Sequence, residues 1–134
     1  MILLDTSVCI AALRRRDEPA VRRFCATKLQ DMCICSIVRA ELVLGAHRSQ
    51  QPGIALAKTL LFCSKFASPT FDNEVADRYA EIRSILLGQG ITVGDMDLAI
   101  SATALRHGLP VATLNFRDFS RIPGLDVLDW RVDQ

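Results

Sequence analysis

The sequence predicts an α/β domain: a central, mainly parallel sheet of four to five short strands with helices on both faces. Three observations carry this. Short apolar runs, too brief to be helices, recur along the chain and alternate with longer stretches whose apolar residues fall at helical spacing. The short runs lack polar alternation, as expected of strands covered on both sides. Residues that cap helices stand ahead of several of the longer stretches.

The elements follow in order. Met1–Leu4 is the first apolar run and suits a buried strand. Asp5-Thr6-Ser7 supplies capping side chains for a helix over roughly 8–15. Asp17 is placed to cap a second helix, with Pro19 tolerated in its first turn. Met32–Cys35 reads as the next strand, and Ser36 as the cap of a helix running to about Arg48. Gln50–Gly53 is turn-like, a helix over about 54–64 follows, and Phe66–Ser68 is a candidate strand ahead of Pro69. Asp72 caps the most regular helix, with Val75, Tyr79, Ile82 and Leu86 on one face and Gly88 and Gly90 ending it. A loop through Gly94 leads to a helix from about Asp95 to Arg106, stopped by Gly108. Pro110–Thr113 is a further strand, and Asp126–Leu128 is the candidate fifth.

The 134 residues are enough for one domain, which at this size buries roughly two-thirds of its unfolded surface. No apolar run is long enough to span a bilayer, and no basic leader precedes the apolar start. A cytoplasmic protein without a membrane partner is the expectation. Five cysteines leave one unpaired in any disulfide framework, so buried thiols acting as small apolar side chains are expected. The net charge of +1 does not announce a nucleic-acid binder, yet 13 of the 16 basic residues are arginine. Guanidinium grips phosphate with two prongs where lysine offers a point charge. Arg14–Arg16, Arg22 and Arg23 form a basic block that also suits a solvated helix face.

In a sheet of this kind, helix starts and strand ends share one rim, and ligands bind there where the strand order reverses. Asp5 directly follows the first strand, and Glu41 lies a little over one turn into its helix. Asp95 and Asp97 fall in the first turn of theirs, and Asn115 and Asp118 follow the Pro110–Thr113 strand. Each acid has a structural role open to it. Asp5 can cap a helix, worth about 1 kcal/mol. Asp95 and Asp97 can complement a helix dipole, worth roughly 0.3–1 kcal/mol. Glu41 is harder to account for, because its helix is strongly apolar there and no basic residue follows at +3 or +4. Gathered at one rim, several like charges cost stability unless a cation sits among them. Converging oxygen ligands suit Mg²⁺, with Mn²⁺ an acceptable substitute, and such an ion can activate water against a phosphodiester. A glycine-rich phosphate loop, a nucleophile elbow and a Cys–His pair are all missing from the sequence, and His47 and His107 sit at helix ends, where a cation complements the dipole.

These residues resemble a known family. M-x-L-L-D-T-S at 1–7, S-x-x-x-x-E from Ser36 to Glu41 followed by L-V-L-G-A, G-D-M-D-L-A-I from Gly94 to Ile100, and A-T-L-N-F-R-D-F with R-I-P-G-L-x-V-L-D-W near the end are similar to the motifs of VapC-type PIN-domain toxins, in their order and across essentially the whole chain. The resemblance implies a PIN-like domain and a Mg²⁺-dependent endoribonuclease that cleaves structured RNA (tRNA or rRNA) and arrests translation. It implies a cognate VapB-type antitoxin, a homodimer, and contact with operator DNA only through the antitoxin. The antitoxin is expected along the helices around 8–15 and 37–48.

Carried over by motif, Asp5, Glu41 and Asp97 match the three acidic positions, Asp97 being favoured over Asp95 because it directly precedes the L-x-I segment. Where many relatives have a fourth acid, this chain has Asn115, and Asp118 is the candidate substitute. Thr6, Ser36 and Thr113 are candidate hydroxyl donors to the carboxylates. Two other readings stay open: a domain that binds RNA or a partner without cutting, and a PIN nuclease that works without an antitoxin.

Overall fold

The computed structural model describes residues 1–15 and 18–133. Asp17 and Arg16, named above as a helix cap and as part of the basic block, lie outside the described residues.

The first strand, β1 (Ile2–Leu4), is followed at once by helix α1 (Thr6–Arg14). Asp5 between them makes the turn, its carboxylate accepting from the Val8 amide at 3.1 Å as an N-cap. Arg15 ends α1 in the left-handed region at φ 52°. Helix α2 (Pro19–Ala26) opens with Glu18 at its N-cap and proline at its start. A short 3-10 turn, Leu29–Asp31, then delivers the chain to β2 (Met32–Cys33), shorter than the expected 32–35 run. Helix α3 (Ser36–His47) buries Val38, Leu42 and Ala46. Its cap position is Cys35 and not Ser36, which begins the helix proper, and no side chain caps it.

Helices α4 (Pro52–Ser64) and α5 (Asn73–Gly88) follow, α5 capped by Asp72 through the Val75 amide at 3.0 Å. Between them the expected strand at Phe66–Ser68 reduces to one bridge, Cys33 to Ala67, where the Ile34 amide donates to the Ala67 carbonyl at 3.1 Å. The reason is local. The Phe66 amide is still tied to Cys63 in the last turn of α4, and Pro69 offers no amide beyond it.

Helix α6 (Asp95–His107) ends at Gly108, whose φ of 67° closes it in the left-handed manner. Then come β3 (Val111–Thr113), a single-turn helix α7 (Phe116–Phe119) that the sequence pattern does not announce, and β4 (Val127–Asp129).

The four strands are all parallel, in the order β2-β1-β3-β4. The chain steps from β1 outward to β2 on one side and from β3 outward to β4 on the other. The strand order therefore reverses between β1 and β3, which opens a crevice at their carboxyl ends. Leu3, Leu4, Val111 and Ala112 on these two strands have no exposed surface, as does Phe119, while Trp130 is nearly as buried. Together with Val8, Cys9 and Val38 they form the main core. A second cluster (Val75, Ile82, Leu86, Val93, Leu98, Ala102 and Ile122) packs α5 against α6. All five cysteines are free thiols; four are buried as expected and Cys25 is exposed. Among the described residues no helix is long and apolar enough to cross a membrane.

Candidate active site

Asp5 stands at the mouth of that crevice, and its surroundings are unusually complete. Its Oδ1 accepts from the Ser7 hydroxyl at 2.5 Å as well as from the Val8 amide, and its Oδ2 accepts from the Thr113 hydroxyl at 2.6 Å. Each hydroxyl is in turn held by a backbone amide of the segment after β3. Leu114 donates to Ser7 at 3.0 Å and Asn115 donates to Thr113 at 2.8 Å. Two successive amides thus orient two hydroxyls, which orient the two oxygens of one carboxylate. Oδ1 accepts from two donors and Oδ2 from the Thr113 hydroxyl. Asp5 is nearly inaccessible, and this burial raises its pKa despite the donors.

Glu41 reaches the crevice from α3, its Oε1 accepting from the Thr6 hydroxyl at 2.6 Å. Asp97, in the first turn of α6, is half-buried and feels the other acids. Burial first, then repulsion from Asp5, Glu41 and Asp118, push its pKa up to about 6. Asn115 links the remaining pair, its Nδ2 donating to Asp118 at 2.9 Å and to Asp97 at 3.5 Å. Four segments far apart in sequence therefore deliver Asp5, Glu41, Asp97 and Asp118 to one electrostatic neighbourhood.

Two of the residues read from sequence are not brought to this cluster. Asp95 points elsewhere, its side chain 87% exposed and paired with Arg83 at 2.8 Å. Two positions apart on a helix is a little over half a turn, so Asp95 and Asp97 face different ways. Ser36 is exposed and makes no side-chain hydrogen bond among the described residues, because the chain has already turned into α3 at that point. Ser7 is the residue that sequence reasoning missed. It stands in the D-T-S run, where its hydroxyl reads as a spare helix cap. His107 hydrogen-bonds the Thr70 carbonyl at 2.9 Å, and neither histidine bonds an acid of the cluster.

Among the described residues none of these four acids is ion-paired to a basic side chain. No three of them, with or without a histidine or cysteine, already close into a coordination shell. The arrangement is a set of hard oxygen donors, buried enough to repel one another and short of positive charge. In kind, such a set can hold a hard divalent cation.

A separate groove of about 970 Å³ lies at the other end of α1, walled by α2 and α4. Its floor is apolar and aromatic, with the rings of Phe24 and Phe62 stacked 5.9 Å apart. Arg14, Arg15, Lys58 and Lys65 line it as well, and among the described residues no acidic one does.

Comparison with known proteins adds the family. The model of the PIN domain matches residues 2–125. The tRNA(fMet)-specific endonuclease VapC of Salmonella typhimurium is 37% identical over 128 residues, covering 96% of each chain. Its counterpart of the same name from Shigella flexneri is 35% identical with the same coverage. The crystal structure of DNA-bound VapBC from Salmonella typhimurium contains a chain that superposes with a TM-score of 0.88 at 36% identity, covering 97% of this chain and 99% of that one.

Proposed function

The chain belongs to the PIN-domain family, among its VapC ribonucleases, and on that premise we propose that it is a divalent-metal-dependent endoribonuclease acting as the toxin of a type II toxin–antitoxin pair. Its substrate is a structured RNA, and the names of its two relatives favour initiator tRNA. Cutting that RNA arrests translation. The single observation that carries the reading is the convergence of Asp5, Glu41 and Asp97 at the strand-order reversal, with no counter-charge paired to them among the described residues.

In this reading Asp5, Glu41 and Asp97 would hold Mg²⁺, or Mn²⁺ in its place. Such an ion would supply water activation and charge compensation at the scissile phosphate. The chain's own residues do the rest. Ser7 and Thr113 fix the orientation of the Asp5 carboxylate. Thr6 fixes the reach of Glu41. Asn115, standing where many relatives have an acid, keeps Asp118 beside Asp97 through its amide and so adds no charge of its own.

The partner is a VapB-type antitoxin, seated in the α1/α2/α4 groove. An apolar floor rimmed by four cations suits an amphipathic segment with acidic residues along its edges. The walls are α1, α2 and α4, so α3 (the helix around 37–48) is not part of this seat. The active assembly is a cytoplasmic homodimer that reaches operator DNA only through the antitoxin.

The decisive experiment incubates the purified protein with total RNA in Mg²⁺ and sequences the new RNA ends. One dominant cut in initiator tRNA, lost in EDTA and restored by Mn²⁺, is expected. Intact RNA at every metal concentration, with binding retained, would make the chain a binding domain instead.

A further inference from the structure

Asp97 meets three other carboxylates, yet the start of its helix is weakly fastened by its own sequence. The N-cap of α6 is Gly94, which brings no side chain to the first amides. What fastens it comes from outside. Arg83, on α5, donates Nη1 to the Val93 carbonyl at 2.9 Å and Nη2 to Asp95 at 2.8 Å. Its guanidinium lies 5.7 Å over the ring of Tyr79, whose hydroxyl also donates to Asp95, at 3.3 Å. From the other side, Arg121 reaches the preceding carbonyl, that of Thr92, at 3.5 Å. Val93 itself is plugged into the α5–α6 cluster.

We infer that Arg83 and Asp95, aided by Arg121, form a clasp that holds the first turn of α6 in place and so keeps Asp97 within the acidic cluster. The inference rests on the metal-dependent reading above. Asp95 and Asp97 share the first turn of α6, so a tie on the first is transmitted to the second through the backbone of that turn. The clasp needs a forked donor, because one side chain must satisfy a carbonyl and a carboxylate together. Arg83 and Asp95 are positioning residues: neither touches the acids of the cluster, and both set where Asp97 stands when an ion arrives.

Mn²⁺ alone is the probe, titrated into the purified full-length protein and followed by electron paramagnetic resonance, with a thermal melt beside each titration. Arg83→Ala and Asp95→Asn should each weaken Mn²⁺ binding by about tenfold, the low end of what losing an outer-sphere partner costs. The double variant should be no weaker than either single one, since both break one clasp. Arg83→Lys should fall between, keeping the ion pair and losing the fork.

The control is Arg106→Ala, which cuts the other α5–α6 ion pair, to Glu74, at the far ends of the two helices. It should change the melt without changing Mn²⁺ affinity. If Arg83→Ala fails to fold, the exposed and shape-preserving Asp95→Asn carries the test. Wild-type affinity in Arg83→Ala or in Asp95→Asn, or an equal loss in Arg106→Ala, would overturn the clasp. Failure of the wild-type protein to bind Mn²⁺ would instead overturn the metal reading beneath it.

Discussion

Thr113 donates its hydroxyl proton to Asp5 across 108 positions of sequence, at 2.6 Å, and both residues are buried. The bond joins the ends of β1 and β3 at the point where the strand order reverses. It ties the geometry of the sheet to the orientation of one carboxylate. Thr113→Val keeps the shape and removes the donor, leaving Oδ2 of Asp5 free to turn. Cleavage of a structured RNA should drop by about 10- to 100-fold, as when an outer-sphere partner of a ligand is lost. Thr113→Ser should stay near the wild-type rate. Equal rates for Val and Ser would show that the bond does not matter to cleavage.

Amide substitutions rank the acids. Asp5→Asn, Glu41→Gln and Asp97→Asn should each reduce turnover by orders of magnitude at saturating Mg²⁺, with circular dichroism unchanged. A helix cap alone would behave otherwise, since asparagine caps as well as aspartate. Asp118→Asn should be intermediate. Asp95→Asn should be milder than Asp97→Asn, its defect showing chiefly when Mg²⁺ is limiting.

The pH dependence of metal-free stability follows from two raised carboxyl groups, Asp97 at about 6 and Asp5 in the same direction. A carboxyl whose pKa is higher folded than unfolded binds more protons when folded. The stability these two groups contribute is fully present below the unfolded value near 3.8 and is lost as pH rises through about 6. Thermal melts in EDTA should show Tm falling over that window. Asp97→Asn should flatten much of the slope and melt higher than wild type at pH 7. A Tm that climbs across the window in the wild type would contradict the repulsion.

Leu61 is 64% exposed on the wall of the basic groove and takes no part in the acidic cluster. Leu61→Asp puts a charge where the antitoxin should bury apolar surface. Complex formation on gel filtration should be lost, and RNA cleavage by the free protein should be unchanged. Intact complex formation would move the antitoxin seat elsewhere.

Much of this was legible in the sequence because it depends on local signals. Asp5 and Asp72 cap helices through their own nearby amides, and Gly108 ends α6 where only a residue tolerant of positive φ sits easily. The rim location of the acids followed from the alternation of strands and helices. What stayed hidden depends on partners distant in sequence. Phe66–Ser68 has strand composition, but its pairing is curtailed by the end of α4 and by Pro69. Ser7 gains its role from the Leu114 amide, 107 positions away. Ser36 lost its expected role because the helix began one residue early. The motif already favoured Asp97 over Asp95, but the part Asp95 plays instead, paired with Arg83 of a neighbouring helix, could not be read from the sequence.

The division of the apolar interior into two clusters bears on how the molecule comes apart. Helix α6 straddles the division: Ile100 and Ala104 belong with the sheet, while Leu98 and Ala102 belong with α5. These positions alternate, so α6 turns one face to the sheet and the other to α5, and α5 is the helix that can open while the sheet remains intact. Amide hydrogen exchange should then find α5 unprotected at temperatures where β1 and β3 still resist exchange. Because the α6 turn that carries Asp97 is held from α5 through Arg83, the protein should fall silent as a nuclease several degrees before the sheet melts. Warming would then act first as a reversible safety catch, ahead of denaturation.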